Sequence, residues 1–395
     1  MKNLNFLKDK FLYVFLFVFF TVMFLAYCDP YENTFLALGI LGFFMILKNI
    51  SKYKKVDLLI SFSILIIIFY LTSNLFLYNK SYKLDIASDV TRVKEGKAVL
   101  LVYRGESEKY NIKTEIYNIF NSNDIIKKIF TPFVLYNKKI NYKRIGKSNY
   151  INNTLEVKNK LKYSLSDNYK VYLGYLYCES YIEEKIMEIA NEGYKKIIVV
   201  PVFLTEGKEY ILLKEKIESL KLFNVSIKYT SPVWNSEKII NSYIKKIWSD
   251  VSKRKIKDPG IILIGRGEKE QNKIQYINSV RQNLMFRKKI KEFLVQNLEF
   301  RDRKIKLSWF DYMKPGYITE IDTLFEYGVS DIFCVLTEPD VFNIENSKMS
   351  IKIKEKLDIP EGVRVQILNG FIEDENLIKE LKNRIEFVDL QNWSN

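Results

Sequence analysis

Histidine is absent from this 395-residue chain. Without an imidazole, a Ser-His-Asp triad, a His-ligated zinc site and an ordinary neutral-pH proton shuttle are excluded. Any chemistry must run on carboxylates, amines, guanidinium groups, hydroxyls or thiols. Cysteine is scarce as well. Cys28, Cys178 and Cys334 lie far apart and in no C-x-x-C arrangement, which excludes a disulfide scaffold and a thiolate metal cluster. With 15 glycines, 8 prolines and a hydrophobic share of 48%, collagen and disorder are excluded too. The length suits about two domains at the usual ~150 residues each.

What is present is unevenly placed. Lys plus Arg number 62 against 47 Asp plus Glu, a net charge of +15, and because only 7 basic and 4 acidic residues precede residue 79, the remainder carries +12. Such a field attracts anions, whether phosphate-rich envelope polymers, anionic head groups or a polycarboxylate ligand. For most individual lysines, solubility is the plainer account. No nucleic-acid recognition motif accompanies the charge, so nucleic acid is not an expected partner.

The hydrophobic excess sits at the N-terminus. Phe11–Tyr27 is 17 residues without a charge, Thr34–Leu47 is 14, and Leu58–Tyr78 is 21, against the ~20 apolar residues that cross a bilayer. These runs predict a membrane anchor over 1–78 with three transmembrane helices, at about 11–27, 34–50 and 58–78, and the lipid bilayer as partner. A cleaved signal peptide fits poorly, since no small-x-small site follows the first run. Lys2, Lys8 and Lys10 precede the first run, the next loop carries Asp29 and Glu32 without a base, and the one after carries Lys48, Lys52, Lys54 and Lys55. The positive-inside rule then places the N-terminus in the cytoplasm and everything after Tyr78 outside it. If the second run does not span, the large domain returns to the cytoplasm.

From Lys97 the pattern changes to short β-branched runs alternating with amphipathic stretches. Ala98–Tyr103, Lys170–Leu176, Lys196–Leu204 and Val225–Tyr229 read as strands. Between the second and third, Glu179–Glu192 places Ile182, Ile186, Ile189 and Ala190 on one helical face and Glu183, Glu184 and Glu188 on the other, and Gly193 ends the helix. The order returns after Pro259: Gly260–Gly265, Lys304–Phe310, Asp331–Leu336 and Val363–Leu368 as strands, with a helix from about Ile318 to Tyr327 closed by Gly328. Ser236–Val251 reads as the helix that joins the two. The expectation is an α/β fold of two tandem, similar three-layer halves with mainly parallel sheets, residues 79–255 and 256–395, preceded by the transmembrane helices. Residues 112–168, polar and rich in Asn, Lys and Tyr, read as an insertion or a mobile flap in the first half.

Ligands in such sheets bind beyond the carboxyl ends of the strands. Here those loops are Arg104–Glu108, Tyr177–Ser180, Thr205–Tyr210, Arg266–Glu270, Phe310–Lys314 and Thr337–Asn343. The first strand of each half ends in a matching turn, Arg104-Gly105-Glu106 and Arg266-Gly267-Glu268. A glycine there lets the chain bend, and the charges can be merely solvated. Their appearance at the same place in both halves sets a binding role beside that plain account. Cys178, at a strand end, is either a thiolate ligand or a small half-buried residue, and Cys334 reads as core. Trp309 and Phe310 either stack on a planar ligand or pack in the core.

At these residues the sequence resembles the sirohydrochlorin cobalt and iron chelatases, whose fold ferrochelatases share. The resemblance rests on Tyr172-Leu173-Gly174-Tyr175-Leu176, on the helix Ser180–Glu192 with Gly193, on the run from Ile197 to Glu209, and on the two strand-plus-turn openings from Val99 and from Ile261. It covers most of residues 97–390 and implies a cleft between two α/β halves, holding a carboxylate-rich tetrapyrrole into which a divalent metal (Co, Ni or Fe) is inserted as substrate. The two family histidines correspond by position to Arg104 and Glu209, and an acidic residue that ferrochelatases use beside the metal corresponds to Glu345.

Both histidines are thus replaced. Glu209 retains the capacity to ligate a hard or borderline cation and to accept a pyrrole proton; its bland alternative is a carboxylate favoured by a helix N-terminus. Arg104 can neither ligate a metal nor act as a base, but it can pair with a carboxylate or phosphate. The expected site is therefore Glu209 and Glu345 as catalytic groups, Glu209 as metal ligand, and Arg104, Glu106, Thr205, Lys208 and Arg266 around an anionic tetrapyrrole. Two readings stand: a membrane-anchored, chelatase-like tetrapyrrole binder that inserts a metal, and a non-catalytic descendant of that fold acting as an envelope anion-binding or scaffold protein.

Overall fold

The apolar runs form strands with bounds close to those expected. In the computed structural model, which describes residues 2–48, 63–72, 75, 93–122, 124–269, 274–338, 344–368 and 375–393, β1 (Lys97–Tyr103), β2 (Tyr169–Tyr175), β3 (Lys196–Pro201) and β4 (Ser226–Tyr229) pair in the order β2-β1-β3-β4. β5 (Gly260–Gly265), β6 (Ile305–Trp309), β7 (Asp331–Leu336) and β8 (Arg364–Leu368) pair in the same pattern, β6-β5-β7-β8. Every neighbouring pair is parallel. The fold is α/β with two parallel four-stranded sheets of one topology, as the duplicated sequence pattern required.

Both faces of each sheet are covered, which is why the strands read as unbroken apolar runs. Successive side chains point to opposite faces. Ala98, Leu100 and Val102 meet α7 (Ile182–Asn191) and α8 (Lys208–Ser219), whereas Val99, Leu101 and Tyr103 turn into a core shared with the second sheet. Ile262 and Ile264 meet α11 (Tyr317–Glu326) and α12 (Ile344–Lys356), and Ile261 and Leu263 face the shared core. α7 and α11 close on Gly193 and Gly328 as expected. The joining helix, α9 (Glu237–Lys253), begins at Ser236, whose hydroxyl accepts the Ile239 N–H at 3.3 Å.

The shared core is filled by α6 (Tyr150–Ser164), α9, α10 (Ile274–Leu298) and α13 (Glu375–Asp389). α13 closes the second half of the sequence yet packs on β3 and α6 of the first. Its last residue, Asp389, accepts from Lys97 Nζ and from the Tyr169 hydroxyl, each at 2.6 Å. The layer over the first sheet is therefore completed by a helix from the second half.

By contacts the chain divides into two units, Met1–Lys83 with Lys109–Lys147, and Leu84–Glu108 with Ser148–Asn395. The second holds both sheets. In the first, α1 (Lys2–Ala26) and α2 (Glu32–Lys48) form a hairpin, residues 63–72 are helical, and α3 (Ile112–Phe120), α4 (Ile125–Ile129) and α5 (Thr131–Ile145) join them. Ile116, Ile119 and Leu135 complete one apolar cluster with Val14, Val18 and Val22. Lys139 of α5 is fully buried. Its Nζ donates to Phe24 O at 2.5 Å and Tyr27 O at 3.1 Å, satisfying carbonyls at the end of α1, and pairs with Glu32 at 3.2 Å at the start of α2. One cation thus ties both helix ends to α5.

One expectation changes here. Within residues 112–168 the chain forms α3, α4, α5 and α6 rather than a flap, and the range is split: the part to Ile145 belongs with the hairpin, whereas α6 covers the first sheet. Apolar residues at helical spacing on an otherwise polar stretch, Ile112, Ile116 and Ile119, are what commit α3 to its cluster. Among the described residues, no helix is long and apolar enough to cross a membrane. α2, at 17 residues, rises about 26 Å, so it reaches across a hydrocarbon core of about 30 Å only with the help of its flanking residues. The third expected span, 58–78, lies outside the described residues except at 63–72 and 75.

Candidate functional site

The carboxyl ends of β1 and β5 carry the paired turns, and their glycines are required by close approach. Gly105 has φ +84, and a Cβ there would lie 2.6 Å from Tyr175 Cβ and 2.8 Å from Cys178 Sγ. A Cβ on Gly267 would overlap the carbonyl oxygen of Asp311. Each turn is therefore pressed against the loop after the neighbouring strand, and each delivers its arginine to the same place.

Arg104 Nη2 donates to Glu345 Oε2 at 3.0 Å, and Arg266 Nη1 lies 3.4 Å from that same oxygen. Glu209, in the first turn of α8, pairs with Arg104 at 3.4 Å. The arginine side chains are 19% and 23% exposed and Glu345 is 52% exposed, so the shared carboxylate is the most open member of the group. Burial pushes the Glu209 carboxyl up, but Arg104 and then Arg266 outweigh it and hold the group below the ordinary carboxylate range. Two further carboxyls lie in the same field. Burial raises Glu338 despite the two arginines, and burial followed by the Glu209 charge raises Glu268. The arrangement sets two cations against one firmly ionised carboxylate, one shared and open one, and two held towards their protonated form.

Other expected residues serve the walls. Both Glu106 carboxylate oxygens accept the Ile344 N–H at 2.9 Å, joining the β1 turn to the first residue of α12. Thr205 and Ser279 hydroxyls lie 2.8 Å apart, Ser279 Oγ donates to Glu268 Oε1 at 3.1 Å, and Glu206 N–H donates to Gln282 Oε1 at 2.8 Å. This ridge ties the β3 loop to α10. Lys208 is exposed at the start of α8. Cys178 is 1% exposed against the β1 turn, and burial pushes the Cys334 thiol up to about 12. Trp309 is buried under the Arg287 guanidinium at 4.0 Å, and Phe310 stacks on Tyr317 at 5.2 Å.

The structure brings Arg104, Arg266, Glu209 and Glu345 together. The sequence placed Glu268 and Glu338 in strand-end loops without giving either a role, and it did not select Ser279 or the buried Arg287. One signal was available: Leu204-Thr205-Glu206 and Leu336-Thr337-Glu338 repeat a tripeptide after the third strand of each sheet. Among the described residues, no three Asp, Glu or Cys side chains converge to hold a metal ion. Glu209 faces two guanidinium groups, so the donor set suits an anion and not a resident metal.

Residues 97–303 match the family described as Cobalt chelatase (CbiK). The chain is also 24% identical over 172 residues to a ferrochelatase of Aquifex aeolicus, covering 40% of this chain and 56% of that protein. It is 30% identical over 125 residues to a ferrochelatase of a Sulfurihydrogenibium species, covering 29% of this chain and 37% of that protein. The chain thus matches about half or less of the length of these curated relatives. Among solved structures, SirB from Bacillus subtilis with Fe3+ superposes with a TM-score of 0.47 at 14% identity, over 75% of this chain and 96% of that one.

Proposed function

The chain belongs to the cobalt chelatase (CbiK) family, and from that membership we propose that the two-sheet unit binds an anionic tetrapyrrole, of sirohydrochlorin or porphyrin type, at the paired arginine turns. The observation that carries this reading is the delivery of Arg104 and Arg266, from equivalent turns of the two halves, to one carboxylate oxygen. A guanidinium pair recognises planar carboxylates by directed, charge-assisted hydrogen bonds. A macrocycle bearing acetate or propionate arms supplies several.

Metal insertion, with Co²⁺, Ni²⁺ or Fe²⁺ as substrate, would draw on the surrounding carboxyls to take up pyrrole protons. Glu209 is the residue by which the proposal extends from binding to insertion. The pairing of Glu209 with Arg104 favours the reading in which the macrocycle is bound without insertion. Titration of the full chain with sirohydrochlorin and uroporphyrin, alone and with each metal, on wild type and Glu209→Ala, separates these. A shifted absorption band without metal supports binding, and a metallated spectrum lost in Glu209→Ala supports insertion. No spectral change with either macrocycle would refute the proposal.

The N-terminal unit we read as a membrane anchor, with the two-sheet unit outside the cytoplasm. Support comes from the large apolar side chains that α2 leaves open, among them Ile40, Leu41 and Phe44, and from Ile66, Ile67 and Leu71 in the helix at 63–72. An exposed apolar face of this extent marks a lipid or protein contact. A reporter fused after Asn395 that is active only in the cytoplasm would overturn the orientation, and extraction of the chain by alkaline carbonate would overturn the anchor.

A further inference from the structure

The reading above leaves open what the arginine turns hold when no ligand is bound, and the geometry answers with a residue of the chain itself. We infer that Glu345 is a built-in stand-in for a ligand carboxylate: it occupies the seat between Arg104 and Arg266 and must leave before an acidic arm of the ligand can enter. This inference rests on the proposed tetrapyrrole reading for the ligand's identity but not for the seat.

Three observations carry it. First, the shared atom is a single carboxylate oxygen, Glu345 Oε2, at 3.0 Å from Arg104 and 3.4 Å from Arg266. Second, mobility and support are distributed unequally. Glu345 is half-exposed at the start of α12, whereas the arginines are mostly buried. Arg104 keeps Glu209 as a partner and Arg266 Nη2 rests on Met349 Sδ at 3.7 Å, one turn further along α12. Swinging Glu345 towards solvent leaves both guanidinium groups in place. Third, the charges balance in either state: two arginines face Glu209 and Glu345 now, and would face Glu209 and a ligand carboxylate afterwards. Exchange of one carboxylate for another changes the Coulomb sum little, so the remainder of the ligand decides whether entry is favourable.

α12 itself need not move. Its first N–H is held by both oxygens of Glu106 at 2.9 Å, so the start of the helix is fixed to the β1 turn while the neighbouring side chain stays open. The device is a competing internal ligand on a fixed helix. It lowers affinity for single carboxylates and admits ligands that offer several acidic groups.

The test uses the full chain in mild detergent with three probes: uroporphyrin, which bears eight carboxylates, etioporphyrin, which bears none, and tricarballylate. Glu345→Gln keeps the shape of the residue and removes its charge. We expect it to bind uroporphyrin about tenfold more tightly than wild type, to leave etioporphyrin unchanged, and to enlarge the thermal shift produced by tricarballylate. Arg266→Lys, with folding checked by its melting curve, should lose about tenfold in uroporphyrin affinity. If wild type binds uroporphyrin and Glu345→Gln binds it no better, the stand-in is refuted while the tetrapyrrole reading survives. If neither porphyrin binds but the tricarballylate shift grows in Glu345→Gln and shrinks in Arg266→Lys, the stand-in holds and the tetrapyrrole reading fails. Absence of all three responses overturns both.

Discussion

The backbone N–H of Ser148 donates to the carbonyl of Glu108 at 2.8 Å, so the two ends of the segment between them meet at the edge of the sheet unit. Residues 109–147 leave and re-enter at one point, which is the geometry of an inserted element whose removal closes a short gap. Replacing 109–147 by a short Gly-Ser linker, in a chain starting at Leu84, should give a protein that melts in one transition and keeps the α/β circular-dichroism spectrum. Loss of cooperative melting would show that the sheet unit depends on the helical one.

The turn glycines supply a second prediction. Gly105→Ala and Gly267→Ala should each cost about 1–3 kcal/mol, because an alanine meets either a left-handed φ with Tyr175 and Cys178 in its way or a backbone carbonyl that cannot move aside. Gly316→Ala is the control. It has φ −75 and nothing within 4 Å of a Cβ, so its effect should stay within about 0.5 kcal/mol in urea unfolding.

Acid stability should depend on Glu192. It accepts from Lys94 at 3.1 Å, Lys170 at 2.6 Å and the Tyr172 hydroxyl at 2.7 Å. Burial acts to raise this carboxyl, yet the Lys170, Tyr172 and Lys94 hydrogen bonds outweigh it and bring it from 4.5 down to about 2. A depressed carboxyl stabilises the fold fully above its unfolded value and loses that contribution as pH falls through the folded one. The difference in unfolding free energy between wild type and Glu192→Gln should therefore be constant above about pH 5 and narrow as pH falls from 4.5 towards 2. A difference that stays flat across that window would contradict the assignment.

Arg287 is wholly buried, with its guanidinium over the Trp309 ring. Its Nε donates to Asn283 Oδ1 at 2.9 Å, and Nη1 donates to Leu263 O at 3.2 Å and to Ser308 O, bridging β5 and β6 at the edge that carries the site. Burial brings its guanidinium down to about 9. Arg287→Ala leaves these carbonyls without their donor and opens a cavity, and should cost about 3 kcal/mol or more. Arg287→Met, which restores volume and no charge, should recover part of that loss in the same unfolding assay.

Much of the sheet architecture was legible because its signals are local. All eight strands lie within a few residues of the expected runs, since strands buried on both faces must be apolar throughout and the helices between them carry a stripe of period 3.6. α3 and α5 were not legible. Their helical character is written in a few apolar residues on a polar background, and Lys139 reads as a surface lysine until Phe24 O and Glu32 close around it.

The site divides along the same line. The sequence alone determined that two equivalent turns each carry an arginine at a strand end, and that histidine chemistry is impossible, because residue identity and repeat spacing suffice for both. Tertiary structure decided that Arg104 and Arg266 meet on Glu345, that Glu106 holds the start of α12, and that α13 completes the layer over the first sheet. Those are contacts between residues far apart in the chain. They arise from the angle at which the two sheets share one core, and no local propensity encodes that angle.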